Sequence, residues 1–223
     1  MRKIDFLLSF LYPITVLRTS SPCNRVLDIM LSAGKYSLNS ENTNYSYGSL
    51  HTLFEKTFRK LKLNWNEINH GLILGFGTGS VAGIINKYNQ NCIIDGVEID
   101  MKVIELGEKY FNTNVLKNVS IHCVTAVGFL QNCQKKYDLI VIDVYADIHV
   151  PGEIESEQFL VCVKNAMNIG GKVIFNKFNH SKASRNQIPK LKELYEKVFE
   201  NVEVLTIMTT GKIFIAEKLA ENR

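Results

Sequence analysis

The sequence predicts an α/β protein: a doubly wound, mostly parallel seven-stranded sheet ending in an antiparallel hairpin, preceded by a small N-terminal lobe of one helix and a β-hairpin. Three observations predict it. A glycine-rich turn, Gly75 to Gly79 (GFGTG), lies between an apolar run and a helical pattern. From Gly71 onward, short apolar runs and helical patterns alternate, which is the arrangement of parallel strands covered on both faces. The last two runs, Val202 to Met208 and Ile213 to Glu217, are separated by a short TTGK turn, so they must be antiparallel neighbours.

Met1 to Leu17 has a basic start and an apolar continuation, but Asp5 and Pro13 interrupt it and no small-residue cleavage motif follows. It is also too short and broken to span a bilayer, so an apolar helix packed on the domain or on a second subunit is expected. Arg25 to Leu31 and Lys35 to Asn39 flank the turn Ser32-Ala33-Gly34, where Gly34 can take positive φ, and so form a hairpin. These pieces make a lobe over residues 1–45, and residues 46–223 make the main domain. Ser49 to Leu61 is an amphipathic helix, with Leu50, Leu53, Phe54, Thr57 and Leu61 near helical spacing. Beyond it the pattern gives strands at 71–74, 93–98, 119–123, 137–143 and 171–176, and helices at 80–88, 102–111, 126–133, 156–167 and 189–200.

The chemistry centres on Gly71 to Asp100. Glycines at 75, 77 and 79 lack a Cβ and let the backbone approach a ligand at a helix N-terminus. Glu98 lies 19 residues after Gly79 at the tip of the next parallel strand, where a carboxylate can accept ribose hydroxyls. A nucleoside is the ligand this pattern predicts. A pyrophosphate-linked dinucleotide fits less well, because the terminal hairpin does not belong to that pattern.

Composition narrows the class further. The 223 residues carry a formal charge of +4, with Lys spread among Asp and Glu, so nucleic-acid binding is not indicated. Five cysteines without CxxC spacing or a paired His cluster predict a reduced, cytoplasmic chain with no metal site. The five histidines are isolated in sequence; His149, just past Asp143, either approaches the pocket or sits on a solvated loop.

Read together, GFGTG, VEID at Val97 to Asp100 and YDLIVID at Tyr137 to Asp143, followed by the terminal hairpin, resemble the class I S-adenosylmethionine-dependent methyltransferase fold, which is Rossmann-like. The order VEIDMKVIELGEKYF, AVGFL, YDLIVIDVYADIHVP and FLVCVKNAMNIGGKVIFN resembles the spermidine synthase branch more specifically, from about Tyr45 to the C-terminus. The resemblance implies S-adenosylmethionine, or its decarboxylated form, as the bound donor. Gly75, Gly77, Thr78 and Gly79 would line its sulfonium end, Glu98 would hold the ribose, and Ile99 would pack on the adenine. Thr125, in place of the family's Asp, and Ala126 would meet the adenine edge. Asp143 would orient and deprotonate an attacking amine, with Tyr47 beside it in the catalytic set. The alternative for Asp143 is a capping role in the loop that follows its strand. Tyr45 and Tyr47 either wall the acceptor pocket or pack between lobe and domain.

The chain also departs from that family. Thr78 and Ala146 stand where the branch has Asp, Asp147 is one place off, and Tyr47-Gly48-Ser49 lacks the branch's Glu. A diamine needs anionic groups at both ends, since an unpaired ammonium in a dry pocket costs several kcal/mol. The sequence therefore points first to an S-adenosylmethionine-dependent methyltransferase acting on a small nucleophile. A polyamine aminopropyltransferase is the alternative, and a non-catalytic nucleoside-binding protein of the same fold is the second alternative. The expected partner is a small-molecule acceptor, with no membrane, and the apolar N-terminal helix leaves room for a homodimer.

Overall fold

The computed structural model describes residues 3–42, 44–146, 149–179, 181–208 and 211–220. The N-terminal part holds α1 (Lys3–Leu8), β1 (Ile14–Thr19), β2 (Leu27–Ser32), β3 (Lys35–Asn39) and β4 (Asn44–Ser46). The remainder comprises α2 (Ser49–Leu61), β5 (His70–Leu74), α3 (Ser80–Tyr88), β6 (Ile93–Glu98), α4 (Met101–Phe111), β7 (Val119–Cys123), α5 (Ala126–Gln131), β8 (Tyr137–Ile142), α6 (Glu157–Asn165), β9 (Met167–Phe178), α7 (Lys182–Val198), β10 (Glu200–Met208) and β11 (Gly211–Glu217). No helix among the described residues is long and apolar enough to cross a membrane.

The main sheet has seven strands in the order β10-β11-β9-β8-β5-β6-β7. Strands β9, β8, β5, β6 and β7 run parallel, and β11 is antiparallel to both of its neighbours. This is the doubly wound sheet with a terminal hairpin that the alternation predicts. From β5 the chain steps outward to β6 and β7, then returns to place β8 on the other side of β5. The carboxyl ends of β5 and β8 therefore form a switch point, where crossovers diverge and leave a crevice.

Both faces are packed. Leu72, Leu74, Ile140 and Ile142 meet α5, α6 and α7, while Ile73, Leu139 and Val141 meet α2 and α3. Successive residues of β5 and β8 thus serve opposite cores, which is why these strands read as unbroken apolar runs. Two glycines have identifiable reasons. A Cβ on Gly75, at φ 85°, would lie 2.2 Å from the Asp143 carbonyl oxygen, and one on Gly96 would lie 2.3 Å from the Phe76 ring.

The N-terminal part differs from the expected helix and hairpin. Its β-structure is a four-stranded antiparallel sheet, β1-β2-β3-β4. The apolar segment to Leu17 is helical only as far as Leu8; Pro13 stops it, and the β-branched Ile14, Thr15 and Val16 enter β1, which pairs with β2. The expected β2–β3 hairpin is present, turning on Ala33 and Gly34 with φ of 47° and 72°. Leu27, Ile29 and Leu38 of this sheet pack on Val103 and Leu106 of α4, so it docks beside the end of β6.

Three boundaries also shift. Helix α6 stops at Asn165 and β9 starts at Met167, because the Tyr137 N–H bonds the Ala166 carbonyl and draws the chain into the sheet early. Helix α7 begins at Lys182 rather than 189: Ser181 and Ser184 form a reciprocal capping box, and Pro189 lies inside the helix instead of opening it. Strand β11 begins at Gly211; Thr209 and Thr210 of the expected turn, with Asp147 and His180, lie outside the described residues.

Candidate active site

A cavity of about 590 Å³ opens at the switch point. Five of the residues expected in the site line it: Gly75, Gly77, Glu98, Ile99 and Asp143. Gly75 follows β5, Glu98 ends β6 and Asp143 follows β8, so parallel pairing of three strands brings together residues far apart in sequence.

Glu98 is buried and held firmly. Its Oε2 accepts the Gly77 N–H at 2.9 Å, and its Oε1 accepts the Asp100 N–H at 3.1 Å and the Tyr45 hydroxyl at 3.4 Å. Burial raises its pKa, and the Asp100 and Gly77 N–H groups oppose the rise by favouring the charged form. A carboxylate offers about four lone-pair directions. The long Tyr45 bond is the one that a ribose hydroxyl can most readily replace.

The glycine turn has a narrower role than expected. The Gly75 and Phe76 N–H groups bond the Val97 carbonyl, Gly77 bonds Glu98, Thr78 bonds the Ser46 hydroxyl at 3.2 Å, and Gly79 bonds the Phe76 carbonyl. All five amides are used within the protein. A pyrophosphate would find no free donors there, which separates this turn from a dinucleotide cradle.

Asp143 is partly open to the cavity and otherwise enclosed. The Asn176 amide donates to its Oδ1 at 3.0 Å. Burial pushes its pKa up to about 7, the Asn176 bond acts in the opposite direction, and the Glu98 charge adds a further upward push. Such a carboxyl is poised to take a proton near neutrality.

Other expected site residues lie elsewhere. Tyr47 is sandwiched between the rings of Phe111, at 4.8 Å, and His51, at 5.4 Å, so it packs and does not join the cavity wall. Thr78 is fully buried beneath the turn, and its hydroxyl has no partner among the described residues. Gly79 is the left-handed residue that starts α3. Thr125 caps α5 by accepting the Gly128 N–H at 3.0 Å, and Ala126 is buried in the core beneath that helix. His149 is exposed and lines a neighbouring cavity.

The structure adds residues that the sequence reading missed. Tyr145, Phe178 and Leu50 also line the cavity, and Asn176 holds Asp143. The Tyr145 hydroxyl donates to the Asn176 carbonyl at 2.6 Å and accepts the Phe178 N–H at 2.9 Å, so it ties the loop after β8 to the end of β9. The signal was available in the pairing: Ile142 lies opposite Phe175, which sets Asn176 beside Asp143. Among the described residues lining the cavity are two carboxyls, Glu98 and Asp143, and no Lys, Arg or His.

A family model for the spermine/spermidine synthase domain matches residues 60–214. The chain belongs to that family. Among curated members, it is 31% identical over 153 residues to a probable polyamine aminopropyl transferase of Bifidobacterium longum, covering 67% of this chain and 34% of that one. It is 31% identical over 159 residues to a spermine synthase of Saccharomyces cerevisiae, covering 64% of this chain and 52% of that one. The spermidine synthase structure from Thermotoga maritima superimposes with a TM-score of 0.71 at 15% identity, covering 92% of this chain and 72% of that one; at this identity the likeness is one of fold. The chain spans about a third to a half of the length of these two curated relatives.

Proposed function

We propose that this member of the spermine/spermidine synthase family is an aminopropyltransferase-type enzyme that uses a decarboxylated S-adenosylmethionine-like sulfonium and a small amine acceptor. The observation that carries the reading is the charge of the cavity: Glu98 and Asp143 face it and no basic side chain does. A donor bearing a carboxylate would bring a third negative group into that space without a counter-ion, whereas a purely cationic donor is stabilised by both carboxyls. This reverses the order expected from the sequence, where missing acidic residues put methyl transfer first. Curated relatives named as aminopropyltransferases support the same reversal.

Glu98, with Tyr45 beside it, would hold the ribose, and Ile99 and Val97 would cover the base. The bound donor supplies an electrophilic carbon next to a sulfonium. The amine lone pair forms the new N–C bond as the C–S bond breaks, and the electron pair leaves with sulfur as a neutral thioether. The proton lost by the amine goes to Asp143, which Asn176 holds in position.

Thermal-shift and calorimetric comparison of decarboxylated S-adenosylmethionine, S-adenosylmethionine, methylthioadenosine and NAD tests the reading. The decarboxylated donor and methylthioadenosine are expected to stabilise the chain most, by about 2.7 kcal/mol at a hundredfold excess over Kd. Glu98→Ala is expected to weaken both at least tenfold. Tighter binding of S-adenosylmethionine, with a methylated product by mass spectrometry, would instead establish methyl transfer. That second reading draws on Thr78 and Ala146, which leave the acceptor side short of carboxylates. The proposal also includes a cytoplasmic setting, supported by five free thiols, and a homodimer.

A further inference from the structure

The two carboxyls of the cavity each have one task in the chemistry above. Glu98 stands with Tyr45, Val97 and Ile99, the part of the wall assigned to ribose and base. Asp143, held by Asn176, is assigned to the attacking nitrogen. The rest of the acceptor must then lie against the lining near Asp143. Val144 and Tyr145 follow Asp143 directly in the chain, and Phe178 is two residues past Asn176, on the same face of β9. The Tyr145 and Phe178 rings pack together, with centroids 4.9 Å apart.

That lining offers an ammonium no anion. The Tyr145 hydroxyl gives its one proton to the Asn176 carbonyl and accepts the Phe178 N–H, so the ring turns an already engaged polar tip away from any ligand. Asn44, the other neutral amide on the cavity wall, donates to the Asn39 side chain at 2.9 Å and accepts the Leu50 N–H at 3.4 Å. Ala146, where the branch has its second Asp, carries a methyl and lines a separate cavity. A second ammonium would therefore give up its water with no carboxylate to receive it. Aromatic faces attract a cation, but that attraction is small beside the hydration lost against a dry wall. Methyl and methylene groups are what such a wall stabilises.

We propose that the acceptor is a primary monoamine with an uncharged, apolar tail, and not a diamine; this rests on the transferase reading above and names its substrate class. The amine meets Asp143, and the tail lies along Val144, Tyr145 and Phe178. The departures at Ala146 and in Tyr47-Gly48-Ser49 then have one cause: an acceptor without a second charge needs no second carboxylate.

1-Aminopentane and 1,4-diaminobutane differ only in that a terminal methyl replaces one ammonium, and they are the probes. Calorimetric titration of each into the full chain saturated with methylthioadenosine, at pH 8, is expected to show 1-aminopentane binding at least tenfold more tightly. Phe178→Glu puts a carboxylate on the tail wall and is expected to reverse the order, with the diamine at least tenfold tighter. Equal or tighter binding of the diamine by the wild-type chain, or no binding of either amine, would overturn the proposal, as would an unchanged order in folded Phe178→Glu. Should that variant fail to fold, the wild-type comparison decides alone. Methylthioadenosine titrated without amine separates the two assignments: if it does not bind, the transferase reading falls and takes the acceptor class with it, whereas nucleoside binding together with preference for the diamine overturns the acceptor class alone.

Discussion

The Asp143 carboxyl ionises near pH 7 in the folded chain and near pH 4 once unfolded, because folding removes most of the water that would stabilise its charge. Between those values the folded state holds a proton that the unfolded state has released. Its contribution to stability therefore falls as pH rises from about 4 to about 7, and is level above that. Asp143→Asn keeps the shape and the Asn176 contact but removes the ionisation. Its melting temperature is expected to match the wild type at pH 4 and to exceed it by several degrees at pH 8, as scanning calorimetry would show. Transfer activity is expected to rise with pH through about 7 in the wild type and to fall at least a hundredfold in the variant, the usual scale of a lost general base. A variant that is no more stable at pH 8 than at pH 4, relative to wild type, would show that Asp143 is well solvated. The place of Glu98 on the cavity wall was legible in the sequence because it depends on strand register and spacing alone. Tyr47, Thr125 and Ala126 lie outside the cavity lining, because motif position says nothing about which neighbours already take up a side chain: two aromatic rings hold Tyr47, and the Gly128 N–H engages Thr125.

Elements connect these residues across the fold. The Ser46 hydroxyl, at the end of β4, accepts the Thr78 N–H inside the glycine turn, so a strand of the N-terminal sheet holds the loop whose preceding amide, that of Gly77, bonds Glu98. Ser46→Ala leaves a buried N–H without an acceptor, and is expected to cost about 1–3 kcal/mol in urea unfolding. Because the turn also positions Glu98, methylthioadenosine affinity is expected to fall several-fold in the same variant; a loss of stability with unchanged affinity would show that the turn keeps its shape unaided. This coupling was not legible, since nothing local in the sequence marks β4 as a strand. The α7 boundary failed for a related reason: the helix was expected only from 189, while its start is set by two serines whose mutual hydrogen bonds look like loop composition. The strands from β5 to β8 were placed within a residue or so, because their apolar runs are bounded by glycine or polar residues on both sides.

At the scale of the whole molecule, the alternation of elements accounts for the sheet, and the carboxyl-edge rule for the position of the cavity, but neither reveals what covers the N-terminal surface. Phe6 and Phe10 pack over Gly34 at the β2–β3 turn, and Ser9 accepts the Ala33 N–H through its carbonyl and the Gly34 N–H through its hydroxyl. That docking leaves Ile4, Leu7, Leu11 and Tyr12 each more than half exposed. Next to them β1 is an edge of the four-stranded sheet, its outer side unpaired among the described residues. An apolar cluster beside an open strand edge is a surface that a self-complementary contact covers at little cost, and a stable dimer needs about 800 Å² from each partner. Sedimentation at tens of micromolar is expected to give twice the chain mass for the wild type and the single-chain mass for Leu7→Glu with Leu11→Glu. Both residues lie away from the cavity lining, so methylthioadenosine affinity is expected to survive the change. A wild-type chain that sediments as a monomer would remove the homodimer from the proposal and leave the chemistry at Glu98 and Asp143 standing, because every group in that cavity comes from one chain.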